Sequence, residues 1–428
     1  MPILTWSGCR AEATSDGAGY GRWLVLLAMG ATMLLPVALL YARAIGDGVL
    51  TLIAVLFLAG HWAGGDWHWL RTKWTRLALL FWGWMLLCTV VSGNWPAIEQ
   101  ALASLRFFLF AAALENMVLA DAVARRRLWY VVLAAALWIF VEVWQQYLLG
   151  VNVFGYPRWA DGALTGPFRG PTAGSAYLSV FFPAFLPLCF LLLRQPNIVG
   201  RILGIGVPVV AAATMILIGQ RMPALLMAVG LCASGLLFRQ FRLPLLLTFA
   251  ISGLVLALTP ILSPPTFEKL VVHFTDQVQH FWASPYGLIF ARAVTMIQAN
   301  PWMGLGWDGY RNGCMRPEYL SGVSWLTVSD PASAVGCNLH PHNYWLQVAT
   351  SAGLPGVVLF GSLVVVWLRR IAGAAGYLSN DRRAALLISV FVSMWPVASA
   401  TSLFTVPNAG WLFLMVGWGL AEARSADS

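Results

Sequence analysis

The residues best suited to chemistry in this sequence are one histidine and a few arginines. His342 heads the run HNYWLQVATSAGLPG, with Asn343 beside it and His340 two residues before it across Pro341. A histidine at the outward start of a long helix meets free backbone N–H groups and a dipole that disfavours imidazolium. Neighbouring arginines push the same way, so the ring stays neutral, as a proton acceptor requires. Arg221 stands in GQRMPAL, where one apolar run ends and the next begins, and Pro223 suits the first turn of that next helix. A guanidinium beside a helix N-terminus can hold an anion, and the plain alternative is an arginine that snorkels to the membrane interface.

Arg292 lies in SPYGLIFARAVTMIQANP, flanked at helical spacing by Leu288 and Met296, so it projects from an apolar face. An arginine there needs a carboxylate or a phosphate as partner. Arg169, in TGPFRGPTAGSAYL, sits in a Gly- and Pro-rich turn ahead of an apolar run. A solvated loop charge is the alternative for both. His340 and His342 have a metal-like H-x-H spacing, but no third histidine or tight carboxylate pair stands near them. No metal and no cofactor are expected. Gly353, Pro355 and Gly356 break the helix that His342 begins. The glycines permit close approach of another helix, for which ordinary packing is explanation enough.

These groups must be positioned by membrane helices. Of the 428 residues 59% are hydrophobic and only 10% charged, and the mean hydropathy is +0.74. A soluble chain cannot bury that much apolar surface. The formal charge of +9 comes from short clusters of cations between apolar runs. That pattern reads as topology signals and not as nucleic-acid binding. On a scale of about 20 apolar residues per crossing, about twelve spans follow. They lie near 21–43, 47–64, 76–93, 97–120, 128–150, 174–194, 200–219, 222–238, 243–262, 342–368, 383–401 and 405–422.

Alternate loops carry fourteen cations, Arg125–Arg127 among them, whereas the short loops on the other side hold four: Arg43, Arg158, Arg169 and Arg221. Positive-inside bias then puts both termini in the cytoplasm and the 263–341 segment outside. The expected organisation is a cytoplasmic tail 1–20 with Cys9, nine spans over 21–262, an outer helical segment 263–341, three spans over 342–422 and a cytoplasmic tail 423–428. In the outer segment Phe267, Leu270, Val271, Phe274, Val278 and Phe281 follow helical spacing, and a second helix covers Pro285 to Ala299. Cys88, Cys189 and Cys232 read as inert core residues. Cys314 and Cys337 share the outer segment, where an oxidising compartment permits a disulfide that spacing alone does not decide. Arg106 and Glu142 lie inside apparent spans and are expected to pair with each other or to line a polar cavity.

The run beginning HN, followed by nine residues and then GLPG, resembles the H-[NSQ]-x9-G-x-x-G signature of bacterial O-antigen ligases. Arg221 to Leu225 is similar to that family's R-x-x-x-L element. The number of spans and the large segment between the ninth and tenth fit as well. The resemblance implies an all-α, GT-C-like membrane glycosyltransferase, metal-independent and inverting, in the bacterial inner membrane. Its partners would be undecaprenyl-diphosphate-linked O-antigen, lipid A–core oligosaccharide and membrane lipids, with no protein partner evident. His342 would be the general base at the periplasmic face. Arg221, Arg292 and Arg169 would bind the donor diphosphate, with Asn343, His340, Gly353 and Gly356 supporting them.

O-antigen polymerases and protein O-oligosaccharyltransferases share the donor and differ in the acceptor. A lipid-linked sugar transporter is a rival from another class. Such folds show paired broken helices in related halves, whereas one strongly broken span stands out here.

Overall fold

The structure is a computed structural model that describes residues 21–373, 380–397 and 401–427. The tail 1–20, with Cys9, lies outside the described residues. Helices lie in every expected span, although the one over 383–401 ends at Ser393 and 398–400 fall outside the described residues. They are α1 (Arg22–Tyr41), α2 (Arg43–Gly64), α3 (Lys73–Val91), α4 (Trp95–Val118), α5 (Ala122–Leu149), α6 (Ala173–Leu193), α7 (Ile198–Ile218), α8 (Arg221–Leu237) and α9 (Arg239–Leu262). The segment expected to lie outside winds through 264–279 (α10) and Pro285–Ala299 (α11). The chain then re-enters the bundle as α12 (Tyr344–Ala372), α13 (Asp381–Ser393) and α14 (Asn408–Asp427).

Nine helices among the described residues are long and apolar enough to cross a membrane: α1 to α7, α9 and α12. The other three differ for physical reasons. Helix α8 has 17 residues, α13 has 13, and α14 carries Glu422, Arg424 and Asp427. At 1.5 Å per residue α13 covers roughly 20 Å, short of the ~30 Å hydrocarbon core. Helix α14 also runs through most of the expected C-terminal tail. The chain is a multi-pass membrane protein.

Residues settle which helices are central. Phe181, Phe182, Phe185 and Phe190 of α6 are buried against neighbouring helices, and 61% of its apolar window is covered. In α9 that share is 11%, with Leu246, Leu254 and Ile261 exposed, so this helix presents its side chains to lipid. Burying so many apolar groups stabilises the bundle by packing, since lipid is as apolar as the core. Cys88 and Cys189 are buried, but Cys232 is exposed on α8, a correction to its reading as a core residue.

Arg106 and Glu142 do not pair. Arg106 grips Asp47 of α2 at 3.0 and 3.2 Å, while Glu142 is buried and accepts the Val153 N–H at 3.1 Å. Each found its partner on a neighbouring element: Arg106 an acceptor in Asp47, and Glu142 a donor in the Val153 N–H.

The break in α12 is explained by its hydrogen bonds. Gly353 has φ 65° and ψ −171°, outside the helix region. Pro355 has no N–H, and Leu354 donates instead to the carbonyl of Pro301 at 2.7 Å. The carbonyls of Thr350, Ser351 and Ala352 accept from Leu305 N–H, Gly306 N–H and the Trp84 indole, each at 2.9 Å. The closest approach at Gly353 is made by a turn of the outer segment and not by another helix. A Cβ at Gly353 would lie 2.4 Å from the Trp302 carbonyl oxygen. The kink therefore docks the segment 300–306 into the helix that His342 heads.

Candidate active site

His342 precedes α12 at a backbone φ of 52°, in the left-handed region that histidine tolerates better than most residues. Asn343 is the N-cap. Its side-chain oxygen accepts from Trp345 and Leu346 N–H at 2.9 and 3.0 Å, and its amide donates to the Pro396 carbonyl. These bonds fix the helix start and leave the imidazole to project from the turn. The amide of Asn338 donates to His342 Nε2 at 3.1 Å. A donor at Nε2 makes that nitrogen the lone-pair site and leaves the proton on Nδ1. Burial holds the His342 pKa below the ordinary imidazole value. That desolvation favours the neutral ring.

Two cavities flank this ring. Tyr286 of α11 meets it edge-on at 5.5 Å between centroids. Tyr286 also walls a cavity of about 540 Å³ that contains Arg221, His273, Asp276, Gln277 and His280. Arg221 is the first residue of α8 and reaches α10, where it donates to the Gln277 side chain and, at 3.4 Å, to the His273 carbonyl. The N-cap, Gln220, gives the helix no side-chain cap, because its amide donates to Pro171. The first N–H groups of α8 thus lie beside a half-buried guanidinium, an arrangement that favours an anion.

On the other side His340 packs its ring 4.4 Å from His342. His340 walls the larger cavity, about 820 Å³, with Arg106, Asp47, Trp307 and Asp308. Burial, and secondarily His342, push the His340 pKa down to about 4. Its Nε2 is buried with no hydrogen-bond partner.

The remaining arginines lie elsewhere. Arg292 is 2% exposed, and its guanidinium donates to the carbonyls of Cys314, Pro331 and Ser333. Cys314 and Cys337 are joined in a disulfide, their Cα atoms 5.5 Å apart. Arg292 also reaches the Cys337 sulfur at 3.6 Å. It clips together the loop whose far end carries Asn338, His340 and His342. Arg169 is exposed in the loop after α5. Neither Arg169 nor Arg292 lines the Arg221 cavity.

Three contributors escaped the sequence reading: Asn338, Tyr286 and Gln277. The run NLHPHN did contain a signal for Asn338, four residues before His342. Tyr286 and Gln277 carried none, because only the fold of α10 and α11 turns them toward the site. Among the described residues no group of three or more His, Cys, Asp or Glu side chains could hold a metal ion.

The fold and site together define a multi-pass helical membrane protein with a half-buried histidine between two polar cavities. Residues 206–361, from α7 to the middle of α12, match the family model described as O-antigen ligase. The matched stretch makes the chain similar to the O-antigen ligase family and supports ligase- or polymerase-type glycosyltransferase activity. It contains Arg221, Arg292, His340, His342 and the Gly353 break. No curated protein matches the chain.

Proposed function

We propose that the protein is an O-antigen ligase. It transfers an O-antigen polysaccharide from undecaprenyl diphosphate to lipid A–core oligosaccharide at the periplasmic face of the bacterial inner membrane. The observation that carries this reading is the position of the His342 ring, which touches a wall of the Arg221 cavity on one side and a wall of the larger cavity on the other.

The acceptor hydroxyl takes the place of the Asn338 amide at Nε2 and gives its proton to that nitrogen. Its oxygen attacks the anomeric carbon from the face opposite the diphosphate, which inverts the configuration. The bond from that carbon to the phosphate oxygen breaks, and undecaprenyl diphosphate leaves with the electron pair. Arg221 and the N-terminus of α8 stabilise the charge that grows on the leaving group, the task a divalent ion performs in other enzymes. Arg221 is the principal diphosphate ligand, and Arg169 contacts the donor from the adjoining loop. Arg292, buried among carbonyls, positions the histidine loop. Twelve crossings in a GT-C-like arrangement, with both termini cytoplasmic, complete the reading.

A polymerase or a protein O-oligosaccharyltransferase would use the same donor. Purified protein supplied with lipid-linked glycan and, separately, lipid A–core, a second lipid-linked glycan or a protein acceptor distinguishes them. Transfer to lipid A–core alone is expected. Transfer only to one of the others would replace the ligase reading, and movement of the donor without transfer would make the protein a transporter. Added EDTA is expected to leave the rate unchanged, and a rate restored by a divalent ion would displace Arg221 from its role.

A further inference from the structure

The larger cavity differs from the Arg221 cavity in kind. Its charged walls balance: Arg43, Arg106 and Arg311 face Asp47, Glu99 and Asp308. The neutral His340 adds no charge, and its Nε2 is buried with no hydrogen-bond partner. Arg106 holds Asp47 through both oxygens, at 3.0 and 3.2 Å, in a fixed pair whose side chains remain 25% and 39% exposed. Trp307 is equally fixed. Its backbone N–H donates to Thr89 at 3.0 Å, its indole to Gln100 at 3.2 Å, and its ring stacks on Phe404 at 5.1 Å.

A polyanion would gain nothing from walls of cancelling charge. A sugar ring would gain, because each hydroxyl both donates and accepts. A rigid carboxylate–guanidinium pair offers acceptors and donors side by side, and charge-assisted bonds are the stronger kind. An aromatic wall supplies apolar contact for ring C–H groups.

We propose that this cavity is a saccharide site that binds the uncharged sugar rings of the acceptor glycan through their hydroxyls, independently of any phosphate the acceptor carries. The identity of the glycan as acceptor rests on the transferase reading above. The cavity's affinity for a saccharide does not.

The test is binding of a fluorescently labelled, dephosphorylated core oligosaccharide to the full chain in detergent, with no donor present. Wild type is expected to bind it, and to bind the phosphorylated form within about threefold. Arg106→Gln and the exposed-site variant Glu99→Gln are expected to bind about tenfold more weakly, the worth of one charge-assisted hydrogen bond. Arg221→Ala is expected to bind within twofold of wild type. A thermal melt of each variant separates lost binding from lost fold, and Glu99→Gln is the arm that does not disturb a salt bridge.

The proposal is overturned if wild type ignores the dephosphorylated saccharide, if Glu99→Gln and Arg106→Gln bind as wild type, or if Arg221→Ala abolishes binding. A wild-type protein that binds the saccharide but never transfers to it would overturn the transferase reading while leaving the saccharide site in place.

Discussion

Arg221 and Arg292 are two guanidinium groups on apolar helices at the same end of the bundle, and they are held in opposite ways. Arg292 is sealed in the small core of the outer segment, with Ile289, Ala293, Met296, Tyr310 and Tyr319 around its helix. Burial lowers its pKa, and the phenol of Tyr310 and the carboxylate of Asp330 oppose that shift. Backbone carbonyls from both sides of the disulfide take its donors. Arg221 stands half-buried at the mouth of a cavity, where its partners are one amide side chain and one long carbonyl contact. A diphosphate can displace partners of that kind. It cannot reach donors that hold a loop closed without opening the loop. Open space beside the group, more than its charge, separates a ligand site from a clip.

The contrast can be broken at Arg292 first. Arg292→Ala leaves one buried and two half-buried carbonyls without their donor, at about 1–3 kcal/mol for a buried one, and opens a void, so the stability loss is expected to be roughly 3 kcal/mol. A large fall in the thermal midpoint would be the sign. Arg292→Lys recovers only part, because an ammonium cannot span carbonyls on separate strands of the loop. An unchanged midpoint with weakened donor binding would instead return Arg292 to the phosphate.

Next in size is the disulfide. Cys314 and Cys337 are 23 residues apart in sequence, and closing a loop of that length constrains the unfolded chain by about 3 kcal/mol. Cys314→Ser with Cys337→Ser is expected to loosen the loop that holds Asn338 and the histidines. Both the midpoint and transfer would fall, and reductant would have no effect on that double variant. Normal transfer in the double variant would mean that Arg292 alone holds the loop.

At Arg221 the expected loss is in binding. Arg221→Ala should weaken undecaprenyl diphosphate affinity by about 2 kcal/mol, roughly thirtyfold, with little change in the midpoint. Arg221→Lys should restore only part of it, since a point charge cannot make the two-pronged contact. A drop in stability matching that of Arg292→Ala would erase the distinction between the two residues.

The smallest effect is on pH dependence. Both imidazoles are depressed below the ordinary value of 6.5, His340 to about 4. The unfolded chain therefore binds more protons than the folded one between those values. The stabilisation from keeping them neutral is complete above about 6.5 and lost as pH falls through the folded values. Transfer should likewise hold steady from neutral pH down to about 6.5 and decline only below it. A rate that already falls between pH 8 and 7 would contradict a base whose pKa lies below the ordinary imidazole value.

Much of the architecture was readable because bilayer thickness fixes helix length and apolar runs of that length are conspicuous. Ten of the twelve expected spans match helices closely. The failures came where length stopped informing, as in the 13-residue α13 and the charged α14. Local rules also found His342 at a helix start, the break at Gly353 and the amphipathic outer helices. The wrong or missing pieces all needed tertiary knowledge. Spacing could show that Arg292 projects from an apolar face, but not that the facing partners would be carbonyls rather than phosphates. It could place Arg106 and Glu142 inside spans, but not the acceptor or donor each would meet. The larger cavity assembles α2, α4 and three separate loops, so no run of residues announced it.

The central claim is that a neutral His342 removes the acceptor's proton while Arg221 holds the donor. It is tested most directly by measuring the transfer rate and the undecaprenyl diphosphate affinity of His342→Ala on one preparation, beside wild type. The expectation is a rate lower by about 10²–10⁴-fold, the usual worth of a positioned general base, with donor affinity within twofold. Transfer within a few-fold of wild type, or a loss wholly explained by lost donor binding, would contradict it.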